Sequence, residues 1–386
     1  MVSDAPGVPS AIPETERGVV PAGTLSQWQL ILLRFCRHRL ALCSVFGLFI
    51  LYALAIFSEP IAPYAPHERH LDYPYAPPQS LHFDLRRGVY TLALERHVDP
   101  VTFRKRYVEN PNAPLPVHFF APSAPYQLWG FIPMQRRLFS VEGADRVHRA
   151  GTSVAAPTLF VLGTDRYGRD ILSRTIYGAR VSLSVGVVGV SFTFLFGLCL
   201  GGLSGYVGGR TDSLIQRSIE VVQAFPQLPL WIALSALLPA DWSALSIYFA
   251  ITLLLSLLNW TGLARVVRGK ILALREEEYA IAARLLGASH TRVLFRHLLP
   301  AFTSHIVVAL TLSVPGVILG ETALSFLGLG LRPPIVSWGV MLQDCLDVKA
   351  VRFYPWLLTP VVFIVATVLS FNFLGDGVRD AADPYG

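Results

Sequence analysis

Six stretches of this chain are apolar with few interruptions, and each approaches the roughly 20 residues that a helix needs to cross hydrocarbon. They are Leu40–Phe57, Val181–Gly202, Leu214–Leu238, Ala244–Leu263, Phe302–Leu327 and Trp356–Leu374. The third carries Gln216, Arg217, Glu220 and Gln223 in its first turns, so it reads either as a span or as an amphipathic helix lying on the membrane. The pattern predicts an all-α polytopic membrane protein with six transmembrane helices. Short-loop arginines orient it. Arg34, Arg37 and Arg39 precede the first span, and the loop at 264–300 holds Arg265, Arg268, Lys270, Arg275, Arg284, Arg292 and Arg296. Both ends of the chain are then expected in the cytoplasm, with Arg379 on the returning tail.

The pattern changes between the first and second spans. Residues 59–160 carry half of the 28 prolines. Short runs at Val89–Leu94, Val117–Phe120 and Gln127–Ile132 have strand-type residues bounded by turn formers, whereas Val101–Val108 is more helical in composition. A small extracytoplasmic α+β insert is predicted at 58–160. It follows a tail with an interfacial helix at 1–39 and the first span at 40–57, and it precedes a five-helix core at 161–386.

Composition agrees with this reading. Hydrophobic residues make up 53% of the chain and charged ones 15%, and the mean hydropathy is +0.48. Soluble domains are nearer a quarter charged. The net charge of +6 comes without the basic stripe and interleaved aromatics that nucleic acid would need, so it is assigned to loop arginines. Residues 1–24 are polar and rich in Pro, Gly and Ala, with no cleavable signal pattern, so the first apolar run is expected to stay as an anchor. Cys36, Cys43, Cys199 and Cys345 form no disulfide framework, and the insert has no cysteine at all.

The stretch from Glu278 to Pro300, EYAIAARLLGASHTRVLFRHLLP, is the most informative polar segment. Ala280, Ala282 and Ala283 favour helix, and the adjacent small side chains admit another helix at close range. Gly287 suits a left-handed cap, after which Ser289 or Thr291 can start a second helix with Val293, Leu294 and Leu298 on one side. Pro300 fits the first turn of the fifth span.

Ala-Ala-x3-Gly followed thirteen residues later by Leu-Pro resembles the EAA loop of ABC-type importer permeases. The wording around it is similar to the dipeptide/oligopeptide permease family, second-permease type. Three further stretches carry the same resemblance: LGTDRYGRDILSRTIYGAR at Leu162–Arg180, GETALSFLGLG at Gly320–Gly330 and NFLGDGVRDAADP at Asn372–Pro384. Together they cover about Leu162 to Pro384, with a weaker match at 28–63. One position departs: Ile281 stands where the family usually has Glu, with Glu276, Glu277 and Glu278 just upstream.

The resemblance implies the type I ABC-importer permease fold, with a homologous second permease completing the pore in the inner membrane. It also implies two cytoplasmic ATPases and an extracytoplasmic binding protein as partners, the lipid bilayer as surroundings, and short peptides as cargo. The ATPase-coupling role falls on Tyr279, Ala282, Ala283, Arg284, Gly287 and Pro300. The outer-surface signature falls on Asp165, Gly168, Arg169, Asp170 and Arg174. From the residues themselves, Asp165 can cap a turn, Gly168 relieves the backbone, Arg169, Asp170 and Arg174 can form local ion pairs, and a structural role is expected.

Glu321 is the ionisable residue lying deepest in an apolar segment, open to either partner pairing or pore lining. His67 and His70 alone make no metal site, and no metal, cofactor or catalytic residue is expected. No Gly-x4-Gly-Lys-Ser/Thr occurs, so ATP hydrolysis is left to partner subunits. The alternatives are an importer for nickel, glycosides or peptide-like antibiotics, a polytopic membrane enzyme using residues 59–160, and a receptor-like or scaffolding protein.

Overall fold

The computed structural model describes residues 27–85, 88–101, 105–141, 158–239 and 241–382. The polar tail at 1–24, including the expected absence of a signal, lies outside them. An amphipathic helix α1 (Gln27–Arg37) leads into α2 (Arg39–Ile56), with His38 between them accepting the Ala41 N–H as an N-cap. One further turn, α3 (Ser58–Ile61), ends the first apolar segment.

The insert then forms β1 (His82–Asp84), β2 (Gly88–Val98), β3 (Lys105–Phe119), β4 (Pro122–Leu128), β5 (Ile132–Arg136) and β6 (Phe139–Val141). Strands β1-β2-β3-β6 make one antiparallel sheet, and β4-β5 make a hairpin. The three predicted strand runs all fall in or between these strands. The helical reading of Val101–Val108 fails, because Lys105–Val108 pair with Glu95–Val98 across the sheet. Nearly all side chains of this ladder are exposed on both strands, so it shows none of the apolar–polar alternation by which a strand is read from sequence. Among the described residues of 58–160 the helical content is the single turn α3, and the rest is strands and loops.

The core consists of α4 (Ile171–Val207), α5 (Gly209–Ala224), α6 (Gln227–Ala236), α7 (Ala244–Leu274), a short α8 (Glu278–Leu285), α9 (Thr303–Phe326) and α10 (Thr359–Ala382). Among the described residues five helices, α2, α4, α7, α9 and α10, are long and apolar enough to cross a membrane, or six if the bent pair of α5 and α6 counts as one broken span. The expected third span is different: α5 and α6 meet at 89°. Pro226 follows extended Phe225 and cannot continue the helix. Helix α5 is amphipathic, burying Ile215 and Ile219 against Trp260 and Ala264 while Arg217 stays exposed beside Glu220. Its polar first turns, including Gln216 and Gln223, thus belong to a separate helix.

The longest helix contact, α4 on α7, is a small-residue seam. A Cβ on Gly201 would stand 2.5 Å from the Ala264 carbonyl oxygen, and one on Gly205 would stand 2.9 Å from that of Arg268. With Gly197 against Leu263, these glycines recur every four residues and let two backbones touch, which is how helices associate where lipid offers no hydrophobic drive. At one end of the seam Arg268 grips Asp212 through two 2.6 Å bonds. At the other end α4 runs past the apolar level. Arg180 forks onto Glu59 at 2.7 and 2.6 Å and caps the last carbonyls of α2. The nine residues of α4 before Arg180 therefore stand above the level where α2 ends, against the insert. Burial pushes the Glu59 carboxyl up, and the Arg180 fork more than reverses it, so Glu59 titrates below its ordinary range.

Candidate coupling loop and outer signature cluster

Two sites lie at opposite ends of α4. At its C-terminal end, α8 starts after Glu277 and terminates as the sequence suggested, because Gly287 adopts φ +80. The Gly287 N–H donates to Arg284 and the Ala288 N–H to Ala283, both at 3.0 Å, closing a Schellman motif that satisfies the last carbonyls. Ser289 then caps a new turn at His290–Arg292, its hydroxyl accepting the Arg292 N–H. The second helix continues as a π-wound Val293–Leu298, which rotates Val293 and Leu298 into full burial and leaves Leu294 half-buried. Pro300 sits in a separate turn, Leu299–Ala301, broken from α9 at Phe302. It therefore lies in a short turn ahead of the span and not in the span's own first turn.

Ala280 is the alanine that meets the body of the protein, packed with Ile271, Val293, Leu298 and Phe302. Ala283 is half-buried, whereas Ala282, Tyr279, Ile281 and Arg284 face outward. Leu285 and Leu286 are 83% and 88% exposed at the tip. Sequence reasoning missed this leucine pair. The available signal was two apolar residues directly before a cap glycine, five and six positions after the inward Ala280. The loop is tied rigidly to the helices behind it. Arg275 donates to the Gly205 carbonyl at 3.2 Å, the Arg284 guanidinium donates to the Arg275 carbonyl, and Tyr206 bonds His290 at 2.9 Å. These bonds connect the loop to the ends of both α4 and α7.

At the other end, the signature residues form one buried knot. Asp165 accepts the Tyr167 and Arg169 N–H groups at 2.8 and 3.0 Å, and its second oxygen takes the Arg169 Nε at 2.6 Å with Arg174 Nε at 3.7 Å. Asp170 makes none of these ion pairs. It caps α4 instead, accepting both the N–H and the hydroxyl of Ser173 at 2.7 and 2.6 Å. The expected pairing among Arg169, Asp170 and Arg174 is therefore corrected to one centred on Asp165, because Asp170 faces the free N–H groups of the helix start. Gly168, at φ +71, passes under the insert; its carbonyl accepts the His70 N–H at 3.0 Å. His70 is edge-on to Tyr64 and Phe160, at 4.7 and 5.2 Å, as part of the packing that seats the insert. Among the described residues no group of three His, Cys, Asp or Glu side chains could hold a metal.

Glu321 is completely enclosed in α9. Its Oε1 accepts the hydroxyls of Ser325 and Ser337, each at 2.8 Å. Those serines in turn receive the Leu331 and Val340 N–H groups, and Trp338 is pinned by Ser182 and Thr175. The carboxylate thus staples the loop after α9 onto α4. Glu321→Ala is expected to destabilise the chain by about 2–4 kcal/mol, since it opens a cavity and orphans two hydroxyls. Glu321→Gln, which keeps an acceptor, should cost clearly less. Thermal unfolding of the purified variants in detergent would check this; equal midpoints for Ala and wild type would refute it.

With both ends described, comparison with known proteins places the molecule in a class. The model of the binding-protein-dependent transport system inner membrane component matches residues 197–385, and that of the N-terminal transmembrane domain of oligopeptide transport permease C matches 26–78. The chain belongs to the family of inner membrane components of binding-protein-dependent transport systems, a transporter family and not an enzyme family. It is 42% identical over 223 residues to the oligopeptide transport system permease protein of Bacillus subtilis, spanning 58% of this chain and 70% of that one. The dipeptide transport system permease protein of the same organism is 42% identical over 222 residues, spanning 58% of this chain and 68% of the relative. The oligopeptide transport system permease protein of Haemophilus influenzae is 41% identical over 234 residues, spanning 60% and 73%. Among solved structures there are weak likenesses to the MetNI methionine ABC transporter in an inward-facing conformation and to an amino acid ABC transporter with histidines. The first has a TM-score of 0.41 at 17% identity, covering 54% of this chain and 96% of that one. The second has a TM-score of 0.39 at 18% identity, covering 54% and 94%.

Proposed function

We propose that this chain is the permease subunit of an ATP-driven importer of short peptides, with the type I importer fold and a homologous second permease completing the pore. The observation that carries the reading is the pairing of 42% identity to peptide permeases with a loop built to be gripped: a rigidly tied α8 whose tip exposes Leu285 and Leu286. The positive-inside pattern supports a topology with that loop and both chain ends in the cytoplasm and the insert outside. ATP binding to two partner ATPases closes them on α8, from Tyr279 to Gly287. The motion passes through Arg275 and His290 to α4 and α7. The two permeases then exchange outward and inward openings, a population shift driven by the ATPases' differential affinity for the two states. An extracytoplasmic binding protein delivers the peptide. Ile281, exposed on the outer side of α8, offers the ATPase an apolar contact where the family usually offers a carboxylate.

In this scheme Asp165, Gly168, Arg169, Asp170 and Arg174 hold the outer end of α4 to the insert and touch no cargo. Glu321 acts as an internal staple. The test is reconstitution of the chain with its ATPases, sister permease and binding protein in liposomes, scored for ATP-dependent uptake of di- and tripeptides. Uptake of nickel or a glycoside with no peptide uptake would move the substrate within the family. Absence of any ATP-dependent uptake by an assembled complex would sink the reading.

A further inference from the structure

The insert carries a feature that coupling and translocation leave unused. Its β4–β5 hairpin turns at Trp129, Gly130 and Phe131, and Trp129 adopts φ +54. A bulky residue in the left-handed region is uncommon, and glycine or asparagine would be cheaper there. Strain kept at an exposed turn points to use of the side chain.

The structure fixes the level at which that side chain sits. Helix α2 has 18 residues, so at about 1.5 Å per residue it spans about 27 Å, close to the roughly 30 Å of a hydrocarbon core. It begins at Arg39, behind Arg34 and Arg37, and its last residue is Ile56. The Trp129 Nε1–H donates to the Ile56 carbonyl at 2.8 Å. The same carbonyl is held by Arg180, paired with Glu59, so a charged pair sits at this level. Trp129 is therefore tied to the boundary between hydrocarbon and headgroups, where indole rings are enriched.

The rings around it continue a lipid-type surface. On α2 the outward side chains Phe46, Phe49 and Ile56 recur at helical spacing, 66%, 69% and 46% exposed, while Leu48, Leu51 and Ala55 face the bundle. This strip leads to Phe57, whose ring centroid is 6.1 Å from that of Trp129, and from there to Phe131 at 6.0 Å. Phe131 is 69% exposed.

We infer that the Trp129–Phe131 tip, with Phe57, inserts into the interfacial layer of the bilayer and holds the insert down on the membrane beside α2. The occupant of this aromatic tip is phospholipid. Continuity with the outward face of α2 and the fixed depth of the tip select that occupant. The insert is then a membrane-seated domain, with the tip as its foot and the far end of the hairpin, at Arg136, in water.

The experiment places an NBD fluorophore at Phe131→Cys in a chain whose Cys36, Cys43, Cys199 and Cys345 are replaced by serine. The chain is assembled with its partner subunits in liposomes. Because Phe131 is exposed, the label leaves the fold intact; Arg136→Cys serves as the water-side comparison. Emission from position 131 should be blue-shifted and quenched by nitroxide lipids, with headgroup-level nitroxides at least about two-fold more effective than deep acyl-chain ones. Position 136 should be quenched by neither. A water-like spectrum at 131 overturns the inference. So does a blue-shifted but unquenched spectrum, which would mean that a neighbouring protein covers the tip. The readout needs no transported substrate, so a failed peptide assay leaves this result standing, and the reverse holds too.

Discussion

Gly287→Val should abolish most peptide uptake while leaving the chain inserted, assembled and able to support ATP hydrolysis by its partners. Gly287 sits at φ +80 with nothing within 4 Å of where a Cβ would stand, so the substitution meets no neighbour. Its whole cost is backbone. A β-branched residue in the left-handed region loses about 1–2 kcal/mol or somewhat more, enough to favour another path for the turn but not to unfold a membrane bundle. The Schellman bonds from Gly287 and Ala288 back to Arg284 and Ala283 would be lost. Helix α8 would then fray, or leave Val293–Leu298 at a different angle, with Leu285 and Leu286 no longer presented. Uptake in liposomes is expected to fall about ten-fold or more, roughly the effect of 1.4 kcal/mol or more on the coupled conformation, with ATPase activity kept within about two-fold. Gly287→Asn, which tolerates this φ, should retain most transport. Normal uptake by the valine variant would rule out the lever.

The second large effect comes from a glycine of the opposite kind. At Gly168 a Cβ would stand 2.0 Å from the His70 carbonyl oxygen and 2.8 Å from its carbon. Backbone cannot yield as a side-chain tip can, so even Gly168→Ala must push the Pro66–Tyr73 segment off the signature loop. The φ of +71 adds to the cost. A loss of about 4 kcal/mol or more is expected, in the range reserved for steric disruption of a buried site. The chain should accumulate poorly and unfold at a markedly lower temperature. Gly130→Ala is the control: its φ is +82, but open space surrounds it, so only about 1 kcal/mol is expected. If the two variants unfolded at the same temperature, steric contact with His70 would not be what holds the insert.

Much of the coupling loop was legible because its signals are local. A cap glycine, a capping serine and the side shared by Val293, Leu294 and Leu298 follow from neighbours within one turn; the structure keeps both caps and buries Val293 and Leu298, with Leu294 half-buried. Which alanine faces inward was not local: Ala280 packs because Ile271 and Phe302 stand opposite, and neither position reveals that in the chain. The leucine tip escaped notice for a related reason. In a chain this apolar, an exposed leucine pair is recognised only once the inward face is known.

By itself, the sequence determined the rough extent of five of the six expected apolar helices, part of the strands of the insert and the caps of the loop. It also carried the family resemblance, written in motifs that are contiguous in the chain. These are set by hydropathy over about 20 residues and by φ preferences of single residues, both of which act at short range. Only the tertiary structure decided that α5 and α6 meet at 89° and that Asp170 caps a helix while Asp165 gathers the arginines. It alone brought Glu59 to Arg180 and Trp129 to Ile56. Each of these depends on polar groups finding partners across tens of residues inside or beside an apolar bundle. There an unpaired polar group is costly, and the partner is whichever one packing brings within reach.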